Sequence, residues 1–113
     1  MTQIARILVV EDDPRLRGMV ADRLVKAGFE VIVTDRAVGA VDAAVACLPN
    51  VIILDAMIPE LRADPETARI PVLLLSAGMS PGAVLGRVRE LLRRYPTPID
   101  PNTGFRLDRS FRW

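Results

Sequence analysis

Three short runs of this 113-residue chain are almost entirely apolar, and two of them end in carboxylates. Residues 4–10 lead into Glu11-Asp12-Asp13, and Val51–Leu54 leads into Asp55. A third run, Val72–Leu75, carries no charge. Short apolar runs of this kind, rich in β-branched residues, predict strands that are buried on both faces. Such strands are typical of a parallel sheet covered by helices.

The segment after the first run predicts a helix and a second strand. Asp13 can cap the helix and Pro14 suits its first turn, whereas Gly28 is placed to end the helix just after Ala27. Residues 29–33 then alternate as a strand. The apolar positions at helical spacing, which we expect to be buried, are Leu16, Met19, Val20 and Leu24.

A second helix is predicted before the run that ends at Asp55. Thr34 or Asp35 can cap this helix, and Pro49-Asn50 breaks it. Its predicted buried stripe consists of Val38, Val41, Val45 and Leu48. Strands that alternate with helices in this way predict right-handed crossovers and an α/β fold with a parallel sheet.

The chain after Pro59 follows a different pattern. Residues 60–70 are polar and are interrupted by Pro65, so we expect at most one or two helical turns there. Strand 4 is predicted at Val72–Leu75, and residues 78–82 form a turn. The last predicted helix spans residues 83–95, with Val84, Val88, Leu91 and Leu92 facing inward.

Carboxylates cluster where two of the predicted strands end. The C-terminal edge of an open parallel sheet is where ligands bind. If the first and third strands are neighbours, three or four carboxylates converge there: those of Glu11, Asp12 and Asp55, with or without that of Asp13. Like charges at close range are unfavourable unless they share a cation, and hard oxygen ligands suit Mg²⁺. Asp13 is more simply explained as the cap of the first helix.

The segments Arg6-Ile-Leu-Val-Val-Glu-Asp-Asp-Pro14, Ile52-Ile-Leu-Asp-Ala-Met-Ile-Pro59 and Val72-Leu-Leu-Leu-Ser-Ala77 together resemble the receiver domain of two-component response regulators. The resemblance covers roughly residues 4 to 94. It implies a flavodoxin-like α/β fold with strand order 2-1-3-4. It also implies a phosphorelay module, without enzymatic activity of its own, that accepts a phosphoryl group from a sensor histidine kinase or a phosphotransfer protein.

The same resemblance implies a role for each site residue. Asp55 would be the phosphoacceptor, and Mg²⁺ would be held by Glu11, Asp12, Asp55 and the backbone carbonyl of Met57. A phosphoryl-binding pair follows strand 4: Ser76 would hydrogen-bond a phosphoryl oxygen, and Ala77 would leave room for it.

Two parts of the family pattern are missing: most of helix 3, and the segment of helix 4 and strand 5. In the family, strand 5 carries the lysine that pairs with the phosphoryl group. Because this chain lacks strand 5, it has no catalytic lysine. Lys26 is its only lysine and lies at the far end of helix 1, and Arg62 or Arg87 could substitute only imperfectly. We expect impaired phosphorylation, or alternatively a non-phosphorylated pseudo-receiver that acts through protein–protein contacts.

The missing segments also predict exposed surface. One face of strands 3 and 4 would keep only helix 2 as cover, and strand 4 would be an open edge. We therefore expect association with a partner protein or as a homodimer across strand 4.

The chain is predicted to form one domain, residues 1–95, followed by a tail, residues 96–113. Residues 1–86 carry 8 basic and 11 acidic residues, whereas residues 87–113 carry 7 and 3. The stretch from Asp100 to Phe111 resembles the start of diguanylate cyclase domains, although a chance turn motif explains it more simply. Contact with nucleic acid is not expected, because a solvated helix face and a loose tail account for the basic residues.

Several classes of function are disfavoured by composition. The chain has no histidine, which excludes a phosphohistidine carrier and imidazole metal ligands. Cys47 is its single cysteine, so no internal disulfide forms, and its position predicts a role in packing. No apolar run is long enough to span a membrane, and the N-terminus lacks a signal-peptide pattern. We expect a cytoplasmic protein.

Overall fold

The computed structural model describes residues 4–35, 37–75 and 78–96. The strands are β1 (Arg6–Val10), β2 (Glu30–Thr34), β3 (Val51–Leu54) and β4 (Val72–Leu74), and the helices are α1 (Pro14–Lys26), α2 (Ala40–Cys47), α3 (Pro59–Ala63) and α4 (Pro81–Arg94). The predicted tail lies outside these residues, apart from Pro96.

The four strands form one parallel sheet in the order β2-β1-β3-β4, which confirms the predicted fold class. Ile7, Leu8, Val9 and all four residues of β3 have no solvent exposure. Uninterrupted apolar sequence in the central strands therefore reflects burial on both faces of the sheet.

Helix α1 has the predicted ends. Asp13 caps it by accepting a hydrogen bond from the Arg15 backbone N–H at 3.0 Å, and Pro14 is its first residue. Gly28 follows the helix with φ of +96°, a conformation that L side chains rarely adopt. The predicted buried face is correct for Val20 and Leu24 but wrong for Met19, whose side chain is half exposed. Apolar spacing alone did not separate the centre of this face from its border.

Helix α2 differs from the prediction at its start and on its buried face. A 3₁₀ turn, Ala37–Gly39, precedes the helix, and Gly39 occupies the cap position without a side-chain hydrogen bond, so neither Thr34 nor Asp35 caps it. Val38 lies in the 3₁₀ turn and is 91% exposed. The buried residues are instead Ala40 and Ala44, whose small side chains let the helix lie close to the sheet.

The sheet separates two apolar clusters. One cluster joins the inward residues Ile7, Val9 and Ile53 to α1 and α4. The other lies on the opposite face and joins Leu8, Ile52 and further strand residues to α2, α3 and the chain between α3 and β4. The described residues thus form a three-layer α/β sandwich with a sheet of four strands.

The second face of the sheet is better covered than the sequence suggested. Ile58, Leu61 and Ile70 pack against Ile52 and Leu54, so the expectation of a largely bare face is wrong. Helix α3 is short, as predicted, but the chain after it folds back over the sheet and supplies Ile70. Apolar surface on this side stays exposed at Leu74, which is 44% exposed, and at Val38 and Met57 beside α2 and α3.

Two polar side chains hold the turn between α3 and β4 in place. The Thr67 hydroxyl is buried and donates to the Leu61 carbonyl oxygen at 2.6 Å. The Arg62 guanidinium donates to the carbonyl oxygens of Ala68 at 2.6 Å and Ile70 at 3.3 Å. The Thr67 hydroxyl thereby satisfies a carbonyl group of α3, and the Arg62 guanidinium satisfies two carbonyl groups of the turn.

Helix α4 begins two residues earlier than predicted, because Ser80 caps it by accepting from the Ala83 N–H at 3.1 Å. Val84, Leu85 and Val88 are buried, whereas the predicted inward residues Leu91 and Leu92 are partly buried against the same cluster. None of the helices in the described ranges is long and apolar enough to cross a membrane.

Replacing Thr67 by valine tests the turn. We expect Thr67→Val to lower the free energy of unfolding by about 1–3 kcal/mol, because it leaves the buried Leu61 carbonyl without its donor. Thr67→Ser keeps the hydroxyl and should lose less than half as much. Urea unfolding of the three proteins measures the difference, and equal stability of Thr67→Val and the parent chain would contradict this role.

Candidate functional site

The register of β1 and β3 brings three carboxylates together. Val10 pairs with Leu54, and Glu11 and Asp55 are the residues that follow them. One carboxylate oxygen from each of Glu11, Asp12 and Asp55 lies within 4.8 Å of the other two. We call these three residues the acidic cluster. It stands at the C-terminal edge of the sheet, where parallel α/β proteins bind their ligands.

Asp13 does not belong to the acidic cluster. Its side chain accepts the Arg15 N–H and caps α1. A carboxylate at this position also interacts favourably with the positive end of the helix dipole. The interpretation of Asp13 as a cap is therefore confirmed.

Glu11 differs from its neighbours in burial. Its side chain is 4% exposed, whereas Asp12 and Asp55 are both exposed. The Glu11 Oε1 atom accepts the Asp13 backbone N–H at 3.1 Å. The other oxygen, Oε2, is the buried side-chain atom of the described residues that has no hydrogen-bond partner. A buried carboxylate oxygen in that state is costly unless a proton or a cation compensates it.

Burial raises the pKa of the Glu11 carboxyl above its ordinary value. The hydrogen bond from the Asp13 backbone acts in the opposite direction and favours the charged form. The negative charge of Asp55 and the neighbouring Asp12 carboxyl raise the pKa further. Glu11 therefore keeps its proton to a higher pH than an exposed glutamate does.

The residues of the acidic cluster fit a hard divalent cation such as Mg²⁺. Mg²⁺ prefers oxygen ligands and is usually held by one or two carboxylates with several waters. Here two exposed carboxylates lie beside a buried one whose free oxygen lacks a partner. A bound cation would satisfy that oxygen and relieve the repulsion among the three charges.

The roles given to the remaining predicted site residues are not tested by the geometry of the described residues. Met57 lies in the connection between β3 and α3, and its side chain is half exposed. The role of its backbone carbonyl as a ligand stays a prediction. Ser76 and Ala77 lie outside the described residues, so the phosphoryl-binding role given to them also stays a prediction.

Cations that could replace the missing lysine are engaged elsewhere. Lys26 ends α1, far from this edge of the sheet, and pairs with Asp22 at 2.9 Å. Arg62 is bonded to the turn before β4, and Arg87 pairs with Glu90 at 3.2 Å. In the described ranges, none of these three interactions involves the acidic cluster.

Sequence reasoning missed one cation beside the acidic cluster. The Arg17 guanidinium donates to the backbone carbonyl oxygen of Glu11 at 2.9 Å. This contact ties the start of α1 to the end of β1. The partner is a backbone carbonyl, so no complementary side chain marks this contact in the sequence.

The chain is similar to several known proteins. It is 34% identical to the DNA-binding dual master transcriptional regulator RpaA of Synechocystis, over 79% of this chain and 49% of that protein. It is 39% identical to a protein-glutamate methylesterase/protein-glutamine glutaminase of Archaeoglobus fulgidus, over 69% of this chain and 24% of that protein. No family model matches the chain.

A solved structure shows the same fold. A response regulator from Desulfuromonas acetoxidans superposes with a TM-score of 0.72 at 21% identity, over 80% of this chain and 98% of that one. The strand order of the sheet and the sequence similarity both agree with this fold. The chain has the fold of a response regulator receiver domain, in a shortened form. It spans half or less of the length of the curated relatives that it matches.

The alignment with RpaA shows how much shorter the receiver domain is. It extends over 119 positions but uses 79% of this chain, which is about 89 of 113 residues. About 30 aligned positions are therefore gaps in this chain. The short α3 and the direct passage from β4 into α4 account for such a loss.

Replacing Glu11 tests whether the acidic cluster binds a cation. The pKa of Glu11 is raised above 4.5 in the folded protein, so the folded state keeps this proton to a higher pH than the unfolded chain does. Without metal, Glu11 therefore lowers stability as the pH rises through that window. We expect metal-free Glu11→Gln to melt at a higher temperature at neutral pH and to show a weaker pH dependence.

Added Mg²⁺ should reverse this order. A cation that binds only the folded state at ten times its Kd adds about 1.4 kcal/mol of stability, and the glutamine variant should gain less. Thermal melts with and without Mg²⁺ measure both effects, and Glu60→Gln serves as an exposed control. Equal Mg²⁺ shifts for Glu11→Gln and the parent receiver domain would exclude Glu11 as a ligand.

Proposed function

We propose that this receiver domain accepts a phosphoryl group on Asp55 in a two-component phosphorelay and that Mg²⁺ assists the transfer. The convergence of Glu11, Asp12 and Asp55 within 4.8 Å carries this proposal. Asp55 is exposed, so a donor can approach it. Glu11 and Asp12 lie on the side of β1 and would hold the ion next to the acceptor.

The proposed reaction is the attack of an Asp55 carboxylate oxygen on the phosphorus of a phosphohistidine. A P–O bond forms while the P–N bond to the imidazole breaks, and the imidazole leaves with the electron pair of that bond. Bound Mg²⁺ would neutralise charge on the phosphoryl oxygens. Asp12 and Glu11 would contribute by holding the Mg²⁺ ion close to the Asp55 carboxylate.

The proposed donor is a sensor histidine kinase or a phosphotransfer protein, and the domain itself is a signalling module rather than an enzyme. Phosphorylation is expected to be slow, because a fixed cation opposite Asp55 would otherwise stabilise the transferring group. Arg17 bonds the backbone carbonyl of Glu11 and not the carboxylate of Asp55 in this hydrogen bond. We propose no nucleic-acid contact for this domain.

One observation favours a second candidate function. Lys26, Arg62 and Arg87, the cations considered for the role of the missing lysine, are each bonded away from the acidic cluster. A receiver domain without that cation could act as a pseudo-receiver that binds partners without being phosphorylated. We further propose that the open edge at β4 allows two copies of the chain to form a homodimer.

Intact mass after incubation with acetyl phosphate and Mg²⁺ distinguishes the two functions. We expect the mass of one added phosphoryl group on the parent chain and none on Asp55→Asn, because the amide cannot act as the acceptor. Chelation of Mg²⁺ should abolish the gain. Asp42→Asn, which removes an exposed carboxylate on α2, is the matched control and should be phosphorylated like the parent.

The outcomes separate cleanly if folding is checked by circular dichroism. A phosphoryl group that persists in Asp55→Asn would remove Asp55 from its proposed role. No mass gain in a folded parent protein would support the pseudo-receiver instead.

A further inference from the structure

Strand β4 presents a defined set of hydrogen-bonding groups at the edge of the sheet. The Pro71 carbonyl oxygen accepts from Ile52 at 2.9 Å, and the Leu75 N–H donates to the Leu54 carbonyl at 2.7 Å. Residues 71, 73 and 75 therefore face β3. In a parallel ladder the intervening residues, Val72 and Leu74, point their N–H and carbonyl groups to the other side. Across the described residues, β4 has no neighbouring strand on that side.

The spacing of these outward groups allows β4 to pair with the β4 strand of a second copy in antiparallel orientation. If Val72 of one copy lies opposite Leu74 of a second copy, each pair can exchange two backbone hydrogen bonds, which gives four in total. A two-fold axis would then pass beside Leu73. The pairing satisfies every outward backbone group of β4 without a shift in register.

Arginines line one end of the edge, and the acidic cluster lies near the other end. At the start of β4, Arg62 and Arg69 line a groove of about 260 Å³ together with Val72, Leu91 and Tyr95. At the other end, Leu74 pairs with Leu54, the residue before Asp55 of the acidic cluster. Antiparallel pairing places the arginine end of one copy beside the acidic end of the other.

The exposed apolar side chain on this edge also fits a second copy. Leu74 is 44% exposed because the turn of residues 64–70 covers only the start of β4. Antiparallel pairing would bring the same turn of the second copy over Leu74. The chemistry of the edge is thus complementary to itself in backbone groups, charge and apolar surface.

We propose that two copies of this chain associate antiparallel through β4, with Val72 opposite Leu74, so that the Arg69 end of each copy meets the acidic cluster of the other. This inference rests on the homodimer proposed above and specifies its register. The chain's own residues 97–113 are a poorer occupant of an arginine-lined edge, since they contain three arginines and two aspartates. The arrangement does not depend on phosphorylation of Asp55.

Thiol cross-linking tests the register directly. In a Cys47→Ser background, Val72→Cys and Leu74→Cys are made as separate proteins, and a mild oxidant is added to each alone and to their mixture. Residues opposite each other in a hydrogen-bonded antiparallel pair have Cα atoms about 5.5 Å apart, within the range that a disulfide spans. We expect a cross-linked dimer in the mixture at least tenfold faster than in either protein alone.

Each outcome decides the proposal. Val25→Cys places an exposed thiol on α1 as the control, and it should not cross-link selectively with either β4 variant. Equal rates in the mixture and in the separate proteins would overturn the register. Sedimentation equilibrium of the parent chain at about 1 mM protein would detect even weak edge contacts. A monomer under these conditions would overturn the homodimer itself. Neither result depends on whether Asp55 accepts a phosphoryl group.

Charge reversal tests the contact with the acidic cluster. Arg69→Glu should weaken dimerisation about tenfold at low salt, because the dimer contains two symmetry-related contacts, and the effect should shrink as salt is added. Arg69→Lys should retain most of the affinity, and Arg89→Glu on the exposed face of α4 is the matched control. Equal weakening by Arg69→Glu and Arg89→Glu would show a general charge effect and overturn this contact.

Discussion

The parallel pairing of β1 with β3 is the constraint on which the rest of the molecule depends. It aligns Val10 with Leu54, so that the residues following both strands reach the same edge of the sheet. The hydrophobic burial of the two central strands stabilises this register and thereby forces Glu11, Asp12 and Asp55 together against their mutual repulsion. The energy that holds the acidic cluster in place comes from the core and not from the carboxylates.

The same pairing explains how a shortened receiver domain can still close its core. Helix α3 has only five residues, too few to cover the second face of the sheet alone. The turn after it contributes Ile70, Thr67 satisfies a carbonyl group of the helix, and Arg62 satisfies two carbonyl groups of the turn. Polar side chains therefore do part of the work that backbone hydrogen bonds do in a longer helix.

Much of the fold could be predicted from sequence because the signals are local. Asp13, Pro14 and Gly28 define α1, and the apolar runs define β1 and β3, since capping chemistry and burial on both faces leave clear patterns. The buried face of α2 could not be predicted from its large residues. Val38 lies in a 3₁₀ turn, and the small residues Ala40 and Ala44 are the ones that pack against the sheet. The cover over β3 was also missed, because Ile70 follows a turn whose path depends on tertiary hydrogen bonds.

The sequence predicted which residues meet at the candidate site, because it predicted the strands that carry them. Glu11, Asp12 and Asp55 follow from strand order, but the burial of Glu11 and its unpartnered oxygen required the three-dimensional structure. Arg17 was missed because its contact is with a backbone carbonyl, which leaves no complementary side chain in the sequence.

A single shortening accounts for both unusual properties of this receiver domain. The segment that would follow β4 supplies, in the family that the chain resembles, both a covering strand and the lysine opposite the acceptor. Its loss leaves the outward groups of Val72 and Leu74 at the edge and leaves the acidic cluster without that cation. An antiparallel second copy would cover these outward groups and bring its Arg69 towards the acidic cluster. The edge and the acidic cluster are therefore best understood as two ends of one surface, since whatever covers β4 also sets the charge beside Asp55.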